Sequence, residues 1–220
     1  SHVEGIVLGH LPVFASAWAT QYAKQSSLLH DEPVALLRFT GGRASLDIYG
    51  SSAQRPRHDD LAAGIADAAS IVSRWIIRLP DACEPELAEG GADAVTLLTG
   101  ADEAAIVACY RTLKSLSSAE RAQEAEPFSW RVAIMGADPV KADEAAKRVE
   151  RAASAFLENE LEIAPCVARI GSLRSMLCFD GPTDLSWRDA IGLIRSSPSP
   201  SEPGPGPRPP APAPTTRARP

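Results

Sequence analysis

Six short apolar runs, each separated from the next by a stretch with helical spacing, constrain this chain more than any other feature of its sequence. Val3 to Leu8 and Val34 to Phe39 have the character of strands covered on both faces. Between them Ala15 to Gln25 carries Trp18, Tyr22 and Ala23 at helical spacing, so the chain opens as strand, helix, strand. Asp59-Asp60 starts a helix through Leu61, Ile65, Ala68 and Ile71, ahead of a third run from Trp75 to Leu79. Ala92 to Thr99, Arg131 to Met135 and Glu162 to Ile170 supply the remaining strands, with helices over Asp102 to Leu116 and Pro139 to Glu160 between them. The expected fold is α/β: a doubly wound, mostly parallel sheet in a Rossmann-like three-layer arrangement.

Length and composition fit one such domain, residues 1–195. At 220 residues with 45% hydrophobic content there is material for one sizeable core and not for two. After Ser196 the composition breaks, with ten of the nineteen prolines in the last twenty-five residues among Ser, Gly, Ala and Thr. Residues 196–220 are therefore expected to be a disordered, Pro-rich tether. A net charge of −6 argues against binding a polyanion by counterion release, so no nucleic-acid partner is expected. Cys83, Cys109, Cys166 and Cys178 show no Cys-x-x-Cys spacing and read as small apolar residues of a reduced, cytoplasmic protein. No apolar run reaches the roughly 18 to 20 residues that span a bilayer.

The position that follows the first strand is where such folds place a phosphate loop, and its chemistry is missing. Glycines let backbone N–H groups close round phosphates while a lysine neutralises them. Gly9-His10-Leu11-Pro12-Val13-Phe14-Ala15-Ser16 has no lysine and one glycine, and Pro12 withholds an N–H.

Several local matches in the right order make the chain similar to the MinD/ParA group of deviant P-loop ATPases, and within it to FlhG-like proteins. Val95 to Ile106 resembles the family's strand, Thr-rich turn and helix start. Ala108 to Lys114 resembles its Asp-Ala-Tyr-x-x-x-Lys helix, Val149 to Leu161 its helix ending in Arg-Phe-Leu, and Pro80 sits where it has an Asp-x-Pro-x-Gly turn. The resemblance implies a P-loop NTPase fold from about Val3 to Ile170. It also implies that the family's Gly-Lys-Gly-Gly-x-Gly-Lys-Ser/Thr falls on Gly9 to Ser16, with His10 and Ala15 in place of the two lysines. The carboxylate at the end of the second strand falls on Arg38, that of the Asp-x-Pro-x-Gly turn on Arg78, and the adenine-reading Asn near Met135 to Gly136.

A site with neither lysine nor carboxylate has no evident anchor for magnesium, so ATP hydrolysis is not expected. The degenerate positions Gly9, His10, Ala15, Ser16, Arg38 and Arg78 carry two alternatives. In the first, no cofactor binds, and the protein is a non-catalytic, MinD/FlhG-like regulator or scaffold that pairs with a protein partner or with itself. In the second, Arg38 and Arg78 replace metal and lysine as fixed positive charge and hold a nucleotide or other anion without turnover. The plain alternative for the arginines is pairing with nearby acids such as Asp81. Phe14, Trp18 and Tyr22 add bulk near the same position, and Trp18 and Tyr22, four residues apart, are expected to be largely buried against the sheet. His10 is either a general base or anion contact, or an ordinary loop histidine. Trp187, Ala190, Ile191 and Ile194 form one apolar stripe, expected to pack on the sheet and not on a membrane. Asp81, Glu84, Glu86 and Glu89 read as a solvated acidic loop.

Overall fold

The six apolar runs are the six parallel strands of the sheet. In the computed structural model, described for residues 1–8, 16–52, 54–89, 91–123, 129–154, 161–166 and 173–198, the parallel strands are β1 (His2–Val7), β2 (Val34–Thr40), β4 (Arg74–Arg78), β5 (Ala94–Thr99), β6 (Ser129–Met135) and β7 (Glu162–Cys166). Two further strands, β3 (Arg43–Tyr49) and β8 (Ser175–Pro182), extend one side of the sheet antiparallel. The order is β7-β6-β5-β1-β4-β2-β3-β8. The chain winds from β1 out to one side and returns to β4 before crossing to β5, so β1 stands at the point where the winding reverses. Clefts at the carboxyl ends of strands form at such a point.

β3 and β8 depart from the sequence expectation. Thr40 pairs with Arg43 across a two-residue turn in which Gly41 and Gly42 have φ of 53° and 77°. Positive φ at both positions is the geometry of a tight hairpin turn whose twist matches the strands, and glycine adopts it without a Cβ clash. β3 then alternates buried and partly exposed side chains through Ala44, Leu46 and Ile48.

The sheet is covered unequally. α2 (Leu61–Ala69), α3 (Glu103–Gln123), α4 (Pro139–Ala153) and α5 (Trp187–Ser196) lie on one face over the main core, which includes Val3, Val7, Trp75, Ile77 and Trp130. Among the described residues α1 (Ser16–His30) is the helix of the other face, where Ala19 and Ala23 pack on Ile6, Leu36, Ile76 and Leu98. Asp60, Asp102, Asp138 and Ser186 each accept a hydrogen bond from a backbone N–H three residues on, which fixes the starts of α2 to α5. The stripe of α5 is buried in the main core beside α2 through Ala190, Ile191 and Ile194.

The acidic run does not form a solvated loop. Asp81–Glu89 is a 3₁₀ segment that lays Leu87 on β1, close enough that a Cβ on Gly5 would stand 2.8 Å from Leu87 Cδ2. Its Glu84 is buried, 4% exposed. Trp18 and Tyr22 are half-buried, packed against the α1-side core. Among the described residues no helix is long and apolar enough to cross a membrane. The expected tail from residue 199 onward lies outside the described residues.

Candidate functional site

The carboxyl ends of β2 and β4 and the start of α1 enclose a cleft of about 550 Å³, into which Arg38, Arg78, Thr20, Phe39, Pro80 and Asp81 project. Arg38 and Arg78 are register partners on the neighbouring strands β2 and β4, so the sheet itself brings the two cations together. Gly9, His10 and Ala15 lie outside the described residues, and Ser16 is the first residue of α1.

Both arginines are held by the protein's own oxygens. Arg38 donates through Nε to Ser45 Oγ at 3.0 Å, through Nη1 to Thr20 Oγ1 at 3.4 Å, and through Nη2 to Asp47 Oδ2. Asp47 is brought there by β3, the strand that pairs with β2. Burial pushes the Asp47 carboxyl above its ordinary value, and the opposing Arg38 charge pulls it back without cancelling the rise. Arg78 donates through Nη2 to Asp81 Oδ1 at 2.7 Å and through Nη1 to the carbonyl of Leu79, with Glu84 Oε1 3.6 Å away.

Glu84 also reaches the end of β1. The N–H of Leu8, the residue that follows β1, donates to Glu84 Oε1 at 2.6 Å. A carboxylate supplied by the 3₁₀ segment thus accepts from the end of β1 and stands beside the Arg78 guanidinium. Among the described residues two guanidinium groups are set against three carboxylates here, which leaves no excess positive charge among them to draw in a polyphosphate.

The neighbouring strand ends are filled with side chains. Met135 closes β6 and is buried in the α1-side core. The Trp18 indole lies over the ends of β5 and β6: a side-chain carbon on Gly100 or Gly136 would stand 3.5 or 3.7 Å from it. Among the described residues no group of three or more His, Cys, Asp or Glu is placed to hold a metal ion.

The structure brings Arg38 and Arg78 side by side and pairs Arg78 with Asp81, as the plain alternative expected; sequence reasoning missed Asp47 and the burial of Glu84. The signal for Asp47 was the Gly41-Gly42 turn, which folds β3 back so that Asp47 stands beside Arg38. The signal for Glu84 was its spacing three residues from Leu87, which puts the carboxylate and the apolar side chain on the same side of a 3₁₀ turn. Cys109 and Cys178 are buried thiols, pushed up by desolvation to about 12 and about 11, inert groups in keeping with an apolar role. No family model and no curated protein sequence matches the chain.

Proposed function

We propose that the chain is a MinD/ParA-like α/β protein whose nucleotide site is occupied by its own side chains, and that it works as a non-catalytic cytoplasmic regulator or scaffold by binding another protein. The observation that carries this reading is the internal neutralisation of the cleft: Asp47 on Arg38, Asp81 on Arg78, and Glu84 on the Leu8 N–H. The placement of β1 between β4 and β5 supports the fold assignment, since it keeps a binding crevice at the carboxyl ends of the strands. Trp18 over Gly100 and Gly136 supports the loss of nucleotide, because it occupies the ends of two of the strands that would border it.

A second reading has one observation in its favour: both guanidinium groups line the same 550 Å³ cleft. There a small anion would displace Asp81, whose side chain is 62% exposed, and bridge Arg38 and Arg78. Titration calorimetry with ATP, ADP and GTP, with and without magnesium, separates the two. The first reading expects no heat with any of them. A dissociation constant of about 10 μM or tighter, near −7 kcal/mol, overturns it. Binding that needs no magnesium and is lost in Arg38→Ala or Arg78→Ala establishes the second.

A further inference from the structure

Away from the cleft, the centre of the sheet holds a second charged cluster that the proposed function does not use. Glu4 is the one charged residue of β1, and it is 1% exposed. Its Oε1 accepts from Tyr22 Oη at 2.5 Å and from Thr96 Oγ1, while its Oε2 faces Arg131 Nη1 at 4.0 Å. Arg131 is anchored at its other side, where Nε donates to Glu162 Oε2 at 2.7 Å. These groups line a cavity of about 290 Å³ between α1 and strands β1, β5, β6 and β7, with Leu29 of α1 at its rim.

The 4.0 Å separation is the informative distance. A buried carboxylate is costly unless a cation and hydrogen bonds compensate it, and here the cation stops short of contact. Pairs whose carboxylate is more exposed close to contact, as Arg74 with Glu32 at 3.1 Å, Arg55 with Asp67 at 2.9 Å and Arg131 itself with Glu162 at 2.7 Å, while the buried Glu84 stands 3.6 Å from Arg78. The most buried carboxylate of the set stands furthest from its cation. A polar gap beyond 3.5 Å is the span a bridging group fills. The cavity exceeds by several-fold the roughly 30 Å³ a water occupies in the liquid, so it admits a small molecule as well as water.

The chemistry of that molecule follows from what the described residues leave free. With both hydroxyls on Oε1, Oε2 of Glu4 is left as an acceptor facing a guanidinium. Burial and the Glu4 charge push the Tyr22 phenol well above its ordinary value, so Tyr22 remains a donor and keeps Glu4 oriented. Glu162 takes Nε of Arg131 and leaves the paired Nη donors, the fork that matches a carboxylate. A simple anion would meet Glu4 and Glu162, and a simple cation would meet Arg131. A molecule carrying both charges one carbon apart meets neither conflict.

We propose that this cavity binds a free α-amino acid, with its ammonium on Glu4, its carboxylate on Arg131 and its side chain directed past Leu29. The site is independent of the carboxyl-end cleft, and its failure would leave the proposed function standing. Leu29 is 69% exposed, so the rim offers apolar contact without being needed for the fold.

The test uses the full chain, titrated by calorimetry and followed by thermal unfolding, with each of the twenty amino acids as probe. Beside each stand the amine and the carboxylic acid that carry the same side chain. At least one amino acid should bind with a dissociation constant of about 1 mM or tighter and raise the unfolding midpoint by about 3 °C at ten times that concentration. Its amine and acid should bind at least tenfold more weakly, and Glu4→Gln and Arg131→Gln should each weaken it at least tenfold. Leu29→Glu, a change at an exposed position, should weaken it several-fold and keeps the test decisive if the buried variants do not fold. No binding by any amino acid overturns the proposal. So does an amine or acid that binds as tightly as the zwitterion, or an affinity unchanged in folded Glu4→Gln or Arg131→Gln.

Discussion

The two arginine clusters on the α1 face of the sheet are built in opposite ways. At the carboxyl end, Arg38 and Arg78 each reach a carboxylate within hydrogen-bond distance, and a third carboxylate, Glu84, caps the end of β1. In mid-sheet, Arg131 reaches the outer Glu162 and stops 4.0 Å short of the inner Glu4. The first cluster is closed on itself, and its charges now serve the fold. The second keeps donor and acceptor capacity turned into a cavity. The same residue types thus lead to opposite functional readings, and the distances between them decide which.

The comparison is most exposed to substitution at its buried members. Glu4→Ala should cost about 3–5 kcal/mol, because it leaves the Tyr22 hydroxyl and the buried Thr96 hydroxyl without their acceptor and removes the inner carboxylate facing Arg131. Glu4→Gln, which keeps an acceptor oxygen, should cost about 1 kcal/mol. Urea unfolding of the two variants checks this. A cost below about 1 kcal/mol for Glu4→Ala would mean that the mid-sheet cluster is already solvated and unlike a buried pair. At the other cluster Arg78→Met should cost about 2–3 kcal/mol, since Glu84 stays buried and keeps the Leu8 N–H but loses its nearby cation.

Arg38→Met should show a smaller, pH-dependent loss of about 1–2 kcal/mol at neutral pH. The sign follows from Asp47, whose carboxyl is raised by burial and partly restored by Arg38. A carboxyl raised in the folded state contributes stability at low pH, and that contribution is lost as the pH rises from the unfolded value through the folded one. Removing Arg38 lets the folded value climb further. The deficit of Arg38→Met relative to wild type should therefore be largest at neutral pH and shrink as acid protonates Asp47. A deficit independent of pH would show that Arg38 stabilises through Ser45, Thr20 and packing, and that the cleft is not closed by charge.

The sequence made the parallel half of this molecule legible and the antiparallel half not, for a physical reason. Strands buried on both faces must be apolar nearly throughout, so β1, β2, β4, β5, β6 and β7 stand out as runs. β3 and β8 are half-exposed, and in β3 the apolar Ala44, Leu46 and Ile48 alternate with Ser45 and Asp47, a weaker pattern to see. The Gly41-Gly42 turn was the available signal. The carboxyl-end arginines were legible because strand ends follow from strand positions, and Asp81 because it lies one turn from Arg78. The Glu4 cluster was not, since its members come from four strands and a helix that only the sheet order brings together. Glu4 itself, a carboxylate inside an otherwise apolar run, was the one local hint.

The smallest expected effect sharpens the comparison most directly. If carboxylates close the carboxyl-end cleft, then removing their charge should reopen it, while the arginines and the backbone stay in place. Asp81→Asn with Glu84→Gln keeps the shape of both side chains and the amide oxygen that accepts from Leu8. It also turns the local balance from two cations against three anions to two cations against Asp47 alone. Inorganic phosphate should then bind with a dissociation constant of about 1–10 mM, roughly −3 to −4 kcal/mol, where the wild-type chain gives no measurable heat. The binding should weaken with added salt, as a site still open to water requires. Arg78→Met on that background should abolish it. A double variant that folds and still takes no phosphate would show that the arginines are held out of reach by geometry, with Thr20, Ser45 and the Leu79 carbonyl as their fixed partners. The carboxylates would then be a consequence of the closed cleft and not its cause.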